Sequence, residues 1–167
     1  MATENIDDKF LSLIQEHRRI IFKICNIYCK NKQDQQDLQQ EIIYQLWRSY
    51  ANYKPAYKFT TWMYRVALNI AISFYRKEKN SNAIIILTDK HEEIEAVHYD
   101  DETEKNIRTL YQFIDGLKEL DKALMLLYLE EKSYSEIAEI LGITETNVAT
   151  KISRTKEKLK QQSNSFK

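Results

Sequence analysis

The chain has 167 residues, 43% of them hydrophobic and 30% charged, which suits one ordinary soluble domain or two small helical ones. Only two glycines and one proline are present, and because sheets and hairpins need turn-forming residues, this scarcity predicts an all-α protein. No apolar run approaches the roughly 18–20 residues of a membrane span, and the first ten residues lack the apolar core of a secretory signal. We therefore expect a cytoplasmic protein without membrane insertion.

The net charge of zero conceals an uneven distribution along the chain. Residues 1–80 carry 13 basic and 8 acidic side chains, residues 81–104 carry one lysine and eight acids, and residues 105–167 carry 11 basic and 9 acidic side chains. A basic module, an acidic stretch and a mildly basic module therefore follow one another. We expect two small helical domains, residues 1–80 and 105–167, joined by a flexible acidic linker over residues 81–104.

Cys25 and Cys29 come nearest to a metal-binding pattern. Their spacing of four residues suits one helix face, yet no second Cys or His pair stands near them to complete a site. We expect both to be reduced residues in or beside the core. No pairing of a nucleophile with a base is recognisable either, so we expect no metal, no cofactor and no enzymatic activity.

The first 80 residues predict three helices around one core. Apolar residues at three- and four-residue steps predict a long amphipathic first helix from Phe10 to Tyr28. A second helix is expected from about Asp34 to Tyr50. Its buried stripe is predicted to consist of Leu38, Ile42 and Leu46.

A loop is predicted between the second and third helices, over residues 51–58. Pro55 and its predecessor Lys54 are held away from helical geometry there. Thr60 or Thr61 is expected to cap the third helix. The predicted buried stripe of that helix repeats every four residues and contains Trp62, Val66, Ile70 and Phe74.

Aromatic and basic residues alternate from residue 37 to residue 77, and no acidic residue follows Glu41 in this stretch. Such a pattern suits a single nucleic-acid strand, because bases stack on rings while Lys and Arg follow the phosphates. The alternative is an aromatic-rich helical core with a solvated basic face. The stretch alone does not decide between the two interpretations.

Residues 133–160 contain the strongest local signal of the chain. Ser133 followed by Glu136 fits a capping box, Ala138 allows two helices to approach, Gly142 permits a sharp turn, and Thr144 is a good cap for the next helix. The residues predicted to share the core of this helix pair are Ile137, Leu141, Val148 and Ile152. This spacing is typical of a helix-turn-helix, whose second helix enters the major groove of DNA.

The exposed face of that second helix is predicted to carry Thr146, Asn147, Thr150, Lys151 and Arg154. Asn and Arg read base edges through paired hydrogen bonds, whereas Thr offers a methyl group and a hydroxyl. Additional charge for phosphates comes from Lys156, Lys158 and Lys160. The alternative is a helix pair packed for structure only, with a solvated basic tail.

Taken together, the two modules resemble one family, the extracytoplasmic-function (group four) bacterial sigma factors. The first module resembles sigma domain two through DLQQE at residues 37–41, FTTWMYRVALN at residues 59–69, and Arg76. The second resembles sigma domain four through YSEIAEILG at residues 134–142, then Asn147, Val148, Arg154, Lys158 and Leu159. Both motifs in this order cover nearly the whole chain.

The resemblance implies a protein that binds core RNA polymerase and directs promoter-specific transcription initiation. On this basis the residues that would dock on the clamp helices of the beta-prime subunit are Asp37, Leu38, Gln40, Glu41, Leu46 and Trp47. The residues that would recognise the −10 element as it melts are Tyr53, Lys54, Tyr57, Lys58, Phe59, Thr61, Arg65, Asn69 and Arg76. We expect Tyr57 and Phe59 to contact bases and Trp62 to belong mainly to the core.

The resemblance also implies that the helix-turn-helix reads the −35 element as a duplex. The residues that would do so are Thr144, Thr146, Asn147, Thr150, Lys151, Arg154 and Lys158. Further implied partners are the beta flap of the polymerase, an anti-sigma factor and, because the recognition helix holds few arginines, an auxiliary recruiter. The acidic linker would enter the RNA exit region.

Two other functions remain open at this point. One is a helix-turn-helix regulator that binds duplex DNA as a dimer and is not a sigma subunit. The other is an interaction protein that keeps the sigma fold and only titrates an anti-sigma factor or the polymerase.

Overall fold

The computed structural model describes residues 5–81 and 101–165, and within these ranges every regular element is a helix. The chain divides into two compact units, residues 1–90 and 91–167. The first unit contains α1 (Ile6–Glu16), α2 (Arg18–Tyr28), α3 (Lys32–Ser49), a 3₁₀ turn (Tyr50–Asn52) and α4 (Phe59–Ser81). The second contains α5 (Asp101–Asp115), α6 (Glu119–Leu129), α7 (Tyr134–Leu141) and α8 (Glu145–Ser165). The all-α prediction is confirmed.

The stretch predicted as an acidic linker lies largely outside the described residues, which omit 82–100. At its two edges, Ser81 is the last residue of α4, and residues 101–104 form the first turn of α5.

The predicted long first helix is wrong, because the chain breaks into α1 and α2 at His17. His17 has φ −108° and ψ 19°, outside helical geometry, although no glycine or proline stands nearby. The Phe10 ring lies 5.2 Å from the Tyr50 ring, and the His17 ring lies 5.5 Å from the Phe59 ring. These contacts hold α1 against residues that follow α3, so the break accompanies tertiary packing that a local pattern does not reveal.

Helix α3 begins two residues earlier than predicted, at Lys32, because Asn31 caps it. The side-chain oxygen Oδ1 of Asn31 accepts a hydrogen bond from the backbone N–H of Asp34 at 2.7 Å. Such a cap satisfies one of the donors that a helix leaves unpaired in its first turn. The predicted buried stripe of α3 is confirmed, since Leu38, Ile42 and Leu46 are fully buried.

Helix α4 buries a different face from the one predicted. Its buried residues are Met63, Tyr64, Ala67, Leu68 and Ala71, whereas the predicted stripe at Trp62, Val66, Ile70 and Phe74 is only half-buried. The small side chains at two of these positions allow α4 to approach both α2 and α3, which it contacts together. The predicted stripe was based on the largest apolar residues and therefore left out the buried Ala67 and Ala71.

Neither threonine caps α4, contrary to expectation. The helix begins at Phe59, and the N–H of Trp62 donates to the carbonyl oxygen of Lys58 at 3.2 Å. Thr60 and Thr61 therefore lie inside the first turn.

In the second unit, α6 is buried over most of its length, and α7 and α8 pack against each other and against it. Gly116 directly follows α5. The helix-turn-helix is formed by α7, the turn at Gly142 and α8. Its predicted core is largely confirmed: Ile137, Val148 and Ile152 are buried, and Leu141 is half-buried.

Candidate nucleic-acid and partner interfaces

One side of α3 is exposed and carries two large aromatic rings. We call it the α3 face, and its residues are Asp37, Gln40, Glu41, Tyr44 and Trp47. Spacings of three and four residues place these side chains on one side of a helix. Tyr44 and Trp47 are each 51% exposed, and their ring centroids lie 6.5 Å apart. Since most large apolar rings of a soluble protein are buried, an exposed pair flanked by carboxylates is a candidate docking surface.

Hydrogen bonds hold parts of the α3 face in place. The indole Nε1 of Trp47 donates to Oδ1 of Asp7 at 3.3 Å, which links α3 to the first turn of α1. Gln45 Nε2 donates to Oε1 of Glu41 at 2.9 Å, and Gln33 Nε2 donates to Oδ1 of Asp37 at 3.1 Å. The carboxylates keep their remaining acceptor sites for a partner.

Two residues predicted to dock on a partner do not reach the surface. Leu38 and Leu46 have 0% exposure, because α3 turns them into the core against α2 and α4. They hold the helix in position and offer no atom to a docking protein, so their assignment as contact residues is corrected. Tyr44 lies on the same exposed side of α3 but is not among the predicted residues, although the helical period counted from Gln40 and Trp47 places it there.

Four rings form a cluster at the end of α3 and the start of α4. This ring cluster consists of Tyr50, Tyr53, Phe59 and Trp62. The Tyr53 ring is the centre of the cluster: its centroid lies 6.0 Å from Tyr50 in a stacked arrangement, 5.7 Å from Phe59 edge-on, and 5.1 Å from Trp62. All four rings are half-buried, so Trp62 is less buried than the core position expected for it.

The predicted −10 residues divide into an exposed set and a supporting set. Lys54, Tyr57, Lys58, Arg65, Asn69 and Arg76 are exposed, and Tyr57 reaches 56%. Tyr53, Phe59 and Thr61 are half-buried. Four of these residues on α4 share one side of the helix by their spacing, namely Thr61, Arg65, Asn69 and Arg76. An exposed ring beside several cations has the composition of a single-strand binding surface.

The turn of the helix-turn-helix has the geometry that its residue types predict. Ser133 and Glu136 exchange both hydrogen bonds of a capping box at the start of α7. Gly142 adopts the left-handed conformation with φ 68°, and the Ile143 N–H returns to the carbonyl oxygen of Ala138 at 3.2 Å. Thr144 Oγ1 accepts from the Asn147 N–H at 3.1 Å, which caps α8 as expected.

Helix α8 presents the predicted −35 residues on its outer side. It buries Val148, Ile152 and Thr155, and the Thr155 hydroxyl donates to the Lys151 carbonyl oxygen at 2.8 Å. The exposed residues of the predicted set are Thr144, Thr146, Asn147, Thr150, Arg154 and Lys158, whereas Lys151 is half-buried. Polar side chains able to reach base edges and phosphates thus share one helix.

Lys156 points away from this set. Its ammonium lies 4.2 Å from the centroid of the Tyr128 ring, and a hydrogen bond with Tyr128 raises the pKa of the lysine. The Lys156 ammonium therefore interacts with Tyr128 on α6.

Both cysteines are buried, as predicted, and neither forms a disulfide bond. Across residues 5–81 and 101–165, no group of three or more His, Cys, Asp or Glu is arranged to hold a metal ion. In the same ranges, no helix combines the length and the apolar character needed to cross a membrane.

Comparison with known proteins assigns both units. The family model for Sigma-70 region 2 matches residues 13–81, and the model for Sigma-70 region 4 matches residues 107–159. The chain is 28% identical to the RNA polymerase sigma factor SigV of Bacillus subtilis over 145 residues, which covers 86% of this chain and 84% of the relative. It is also 28% identical to the ECF RNA polymerase sigma factor SigW of the same organism over 166 residues, with 93% and 89% covered.

Solved structures show the same fold. The sigma factor RpoE of Bartonella quintana, crystallised with the anti-sigma factor NepR, matches with a TM-score of 0.73 and 14% identity, covering 92% of this chain and 95% of that one. CnrH, solved with the cytosolic domain of CnrY, matches with a TM-score of 0.67 and 17% identity, covering 93% and 88%. With both sigma regions matched in order along one chain, this protein belongs to the extracytoplasmic-function sigma factors of bacterial RNA polymerase and serves promoter-directed transcription initiation.

Proposed function

We propose that this sigma factor divides promoter recognition between its two units. Residues 1–80 would act as the domain that binds core polymerase and the −10 element, residues 105–167 as the domain that binds the −35 element, and residues 81–104 as the linker. The observation that carries the proposal is the exposed Tyr57 ring, set among cations next to the ring cluster, in a chain that ends in a helix-turn-helix.

The α3 face is the proposed contact with the clamp helices of the beta-prime subunit. Trp47 and Tyr44 offer large exposed rings, and Asp37, Gln40 and Glu41 provide the polar rim that such interfaces have. The beta flap is the proposed polymerase partner of the second unit, as in the family that this chain belongs to.

The loop over residues 53–58 is proposed to hold the −10 element in its melted form. Extruding a base from the duplex costs roughly a few kcal/mol. Stacking it on an aromatic ring returns about 1–3 kcal/mol. Tyr57 is the best-placed ring for this contact because more than half of its surface is open. Lys54, Lys58, Arg65 and Arg76 supply charge for the phosphates of the strand.

Helix α8 is proposed to read the −35 element in the major groove. Asn147 and Arg154 would bond base edges, Thr146 and Thr150 would contact methyl groups or base edges, and Lys151 and Lys158 would bind phosphates. The Thr144 side chain already caps α8. In the DNA complex, Thr144 would therefore hold the first turn of α8 in place next to the DNA backbone.

An anti-sigma factor is the proposed regulator, because both solved structures described above are complexes with a second protein, and the partner of RpoE is an anti-sigma factor by name. The cytoplasm is the proposed location, since core polymerase and promoter DNA are found there. We assign the protein no reaction of its own and no cofactor. An auxiliary recruiter remains part of the proposal for promoters with a weak −35 contact.

The experiment that tests the proposal is a permanganate footprint of the holoenzyme on a promoter whose start site has been mapped with it. Tyr57→Ala should reduce the reactivity of thymines in the −10 region while protection of the −35 duplex stays unchanged. Phe22→Ala is the matched control, because Phe22 on α2 is exposed to a similar extent, 54%, and lies outside the loop. Equal thymine reactivity in wild type and Tyr57→Ala would contradict the proposed base contact.

A further inference from the structure

Backbone hydrogen bonds restrain the loop between the 3₁₀ turn and α4 at two points that the structure describes. Among the described residues its backbone is held by the Tyr53 N–H bonded to the Tyr50 carbonyl at 3.0 Å and by the Tyr57 N–H bonded to the Lys54 carbonyl at 3.0 Å. Pro55 offers no N–H at all. The position of the Tyr57 backbone therefore depends strongly on any side chain that contacts it.

One side chain does contact it. The Tyr53 hydroxyl donates a hydrogen bond to the carbonyl oxygen of Tyr57, with an O–O distance of 2.6 Å. This bond spans the loop from its first residue to its most exposed ring.

The ring of Tyr53 is held firmly enough to act as a support. One of its faces is stacked on Tyr50 at an interplanar angle of 15°, and Phe59 and Trp62 both approach within 6 Å. Aromatic packing of this kind fixes the ring, and the ring fixes the direction of its hydroxyl. The same packing leaves Tyr53 half-buried with one face stacked on Tyr50, so it offers a base less surface than the 56% exposed Tyr57.

We propose that Tyr53 is a positioning residue for the melted −10 strand: its hydroxyl fixes the Tyr57 backbone and thereby presents the Tyr57 ring, and Tyr53 itself does not stack on a base. This inference rests on the proposed function and revises the role first expected for Tyr53. A loop ordered before the strand arrives avoids the entropy loss of ordering it during promoter opening.

The test is the Tyr53→Phe holoenzyme, which keeps the ring and removes only the hydroxyl. Abortive-initiation kinetics on a mapped promoter separate the equilibrium constant of the closed complex from the rate of isomerisation to the open complex. We expect isomerisation to slow by about two- to tenfold, the usual effect of losing one hydrogen bond. The closed-complex constant and core polymerase affinity should stay at wild-type values, and thermal unfolding should shift by no more than the loss of one hydrogen bond accounts for. Tyr50→Phe is the control, since it removes a hydroxyl from a neighbouring ring of the same cluster and should be silent.

A double-mutant cycle with Tyr57→Ala then distinguishes positioning from a general structural effect. If the Tyr53 hydroxyl acts through Tyr57, adding Tyr53→Phe to Tyr57→Ala should slow isomerisation no further. Additive effects of the two changes would overturn the inference. So would a silent Tyr53→Phe beside a strongly impaired Tyr53→Ala, because that pattern means that the ring alone matters. If Tyr57→Ala itself leaves isomerisation unchanged, the proposed base contact fails, and the positioning role falls with it.

Discussion

The indole nitrogen of Trp47 donates its hydrogen bond to Asp7, a residue 40 positions earlier in the chain. The bond ties the exposed edge of α3 to the first turn of α1. Without it, water would take the place of the indole N–H at the Asp7 carboxylate. Trp47 thus keeps about half of its surface open while its orientation is restrained. A restrained exposed tryptophan is the kind of residue that dominates the binding energy of an interface.

Replacing Trp47 with alanine should therefore weaken binding of core polymerase far more than it weakens the fold. A loss of 2 kcal/mol or more is typical of such an anchor, which corresponds to roughly 30-fold or more in affinity. The unfolding free energy should change by less than about 1 kcal/mol, because the ring is half exposed. Fluorescence anisotropy with labelled sigma factor and core polymerase measures the affinity. Phe22→Ala serves as the exposed-aromatic control, and an equal loss in both variants would contradict the assignment of the α3 face.

Asn147 and Lys158 should differ in the way they affect −35 binding. Asn147→Ala removes a side chain suited to paired hydrogen bonds with a base, so it should cost about 1–3 kcal/mol on the preferred sequence and relax the preference at one position. Lys158→Ala should weaken all sequences alike and lower the slope of log affinity against log salt by about 1. Holoenzyme binding to a library of promoter variants at several salt concentrations separates the two. Uniform weakening by Asn147→Ala would contradict base reading.

Glu131 and Gly142 occupy the same left-handed conformation after successive helices, with φ 59° and 68°. Each is followed by a residue whose N–H returns to a carbonyl in the helix: Lys132 to Leu127 at 3.1 Å and Ile143 to Ala138 at 3.2 Å. Glycine suits this conformation and glutamate does not. Glu131→Gly should stabilise the second unit by roughly 0.5–1 kcal/mol, whereas Glu131→Ala should give no such gain.

Gly142→Ala should destabilise the same unit by about 1 kcal/mol. An added Cβ at Gly142 meets no atom within 4 Å, so the cost is conformational alone. Thermal unfolding followed by circular dichroism measures all three variants. A stabilising Gly142→Ala would show that the turn does not need the left-handed conformation.

The stability of the first unit should fall at alkaline pH because of Cys25. Burial raises the pKa of the Cys25 thiol from 9.0 to about 12. Above pH 9 the unfolded chain loses this proton while the folded chain keeps it, so the free energy of unfolding falls by about 1.4 kcal/mol for each pH unit up to about 12. Both tryptophans lie in the first unit, so urea unfolding followed by their fluorescence reports on it. Relative to wild type, Cys25→Ala should lose less stability between pH 8 and pH 10.5, and parallel pH profiles would contradict this.

The helix-turn-helix was predictable in detail because its signals are local. The capping box at Ser133, the left-handed Gly142 and the Thr144 cap each depend on residues within a few positions, and each shows the hydrogen bond or backbone conformation that its residue type implies. The all-α fold followed equally well from the scarcity of turn residues. Predicting these features does not require knowing which helices pack against each other.

The failures share a different cause, namely contacts between distant residues. The break at His17 accompanies two ring contacts, Phe10 with Tyr50 and His17 with Phe59. The buried face of α4 depends on two helices that approach Ala67 and Ala71 together. Leu38 and Leu46 belong to a family pattern that mixes contact residues with the core residues beneath them. The Tyr53 hydroxyl bond to Tyr57 is likewise a tertiary detail of one loop.

The role as a promoter-specific sigma factor can be measured by transcription with purified core polymerase from a related bacterium, on fragmented genomic DNA with sequencing of the RNA 5′ ends. We expect starts that appear only when this protein is added and that share two upstream motifs, one for each unit. Trp47→Ala should abolish these starts at protein concentrations where the wild type is active. If no new starts appear and the protein does not bind core polymerase, it is not a sigma factor.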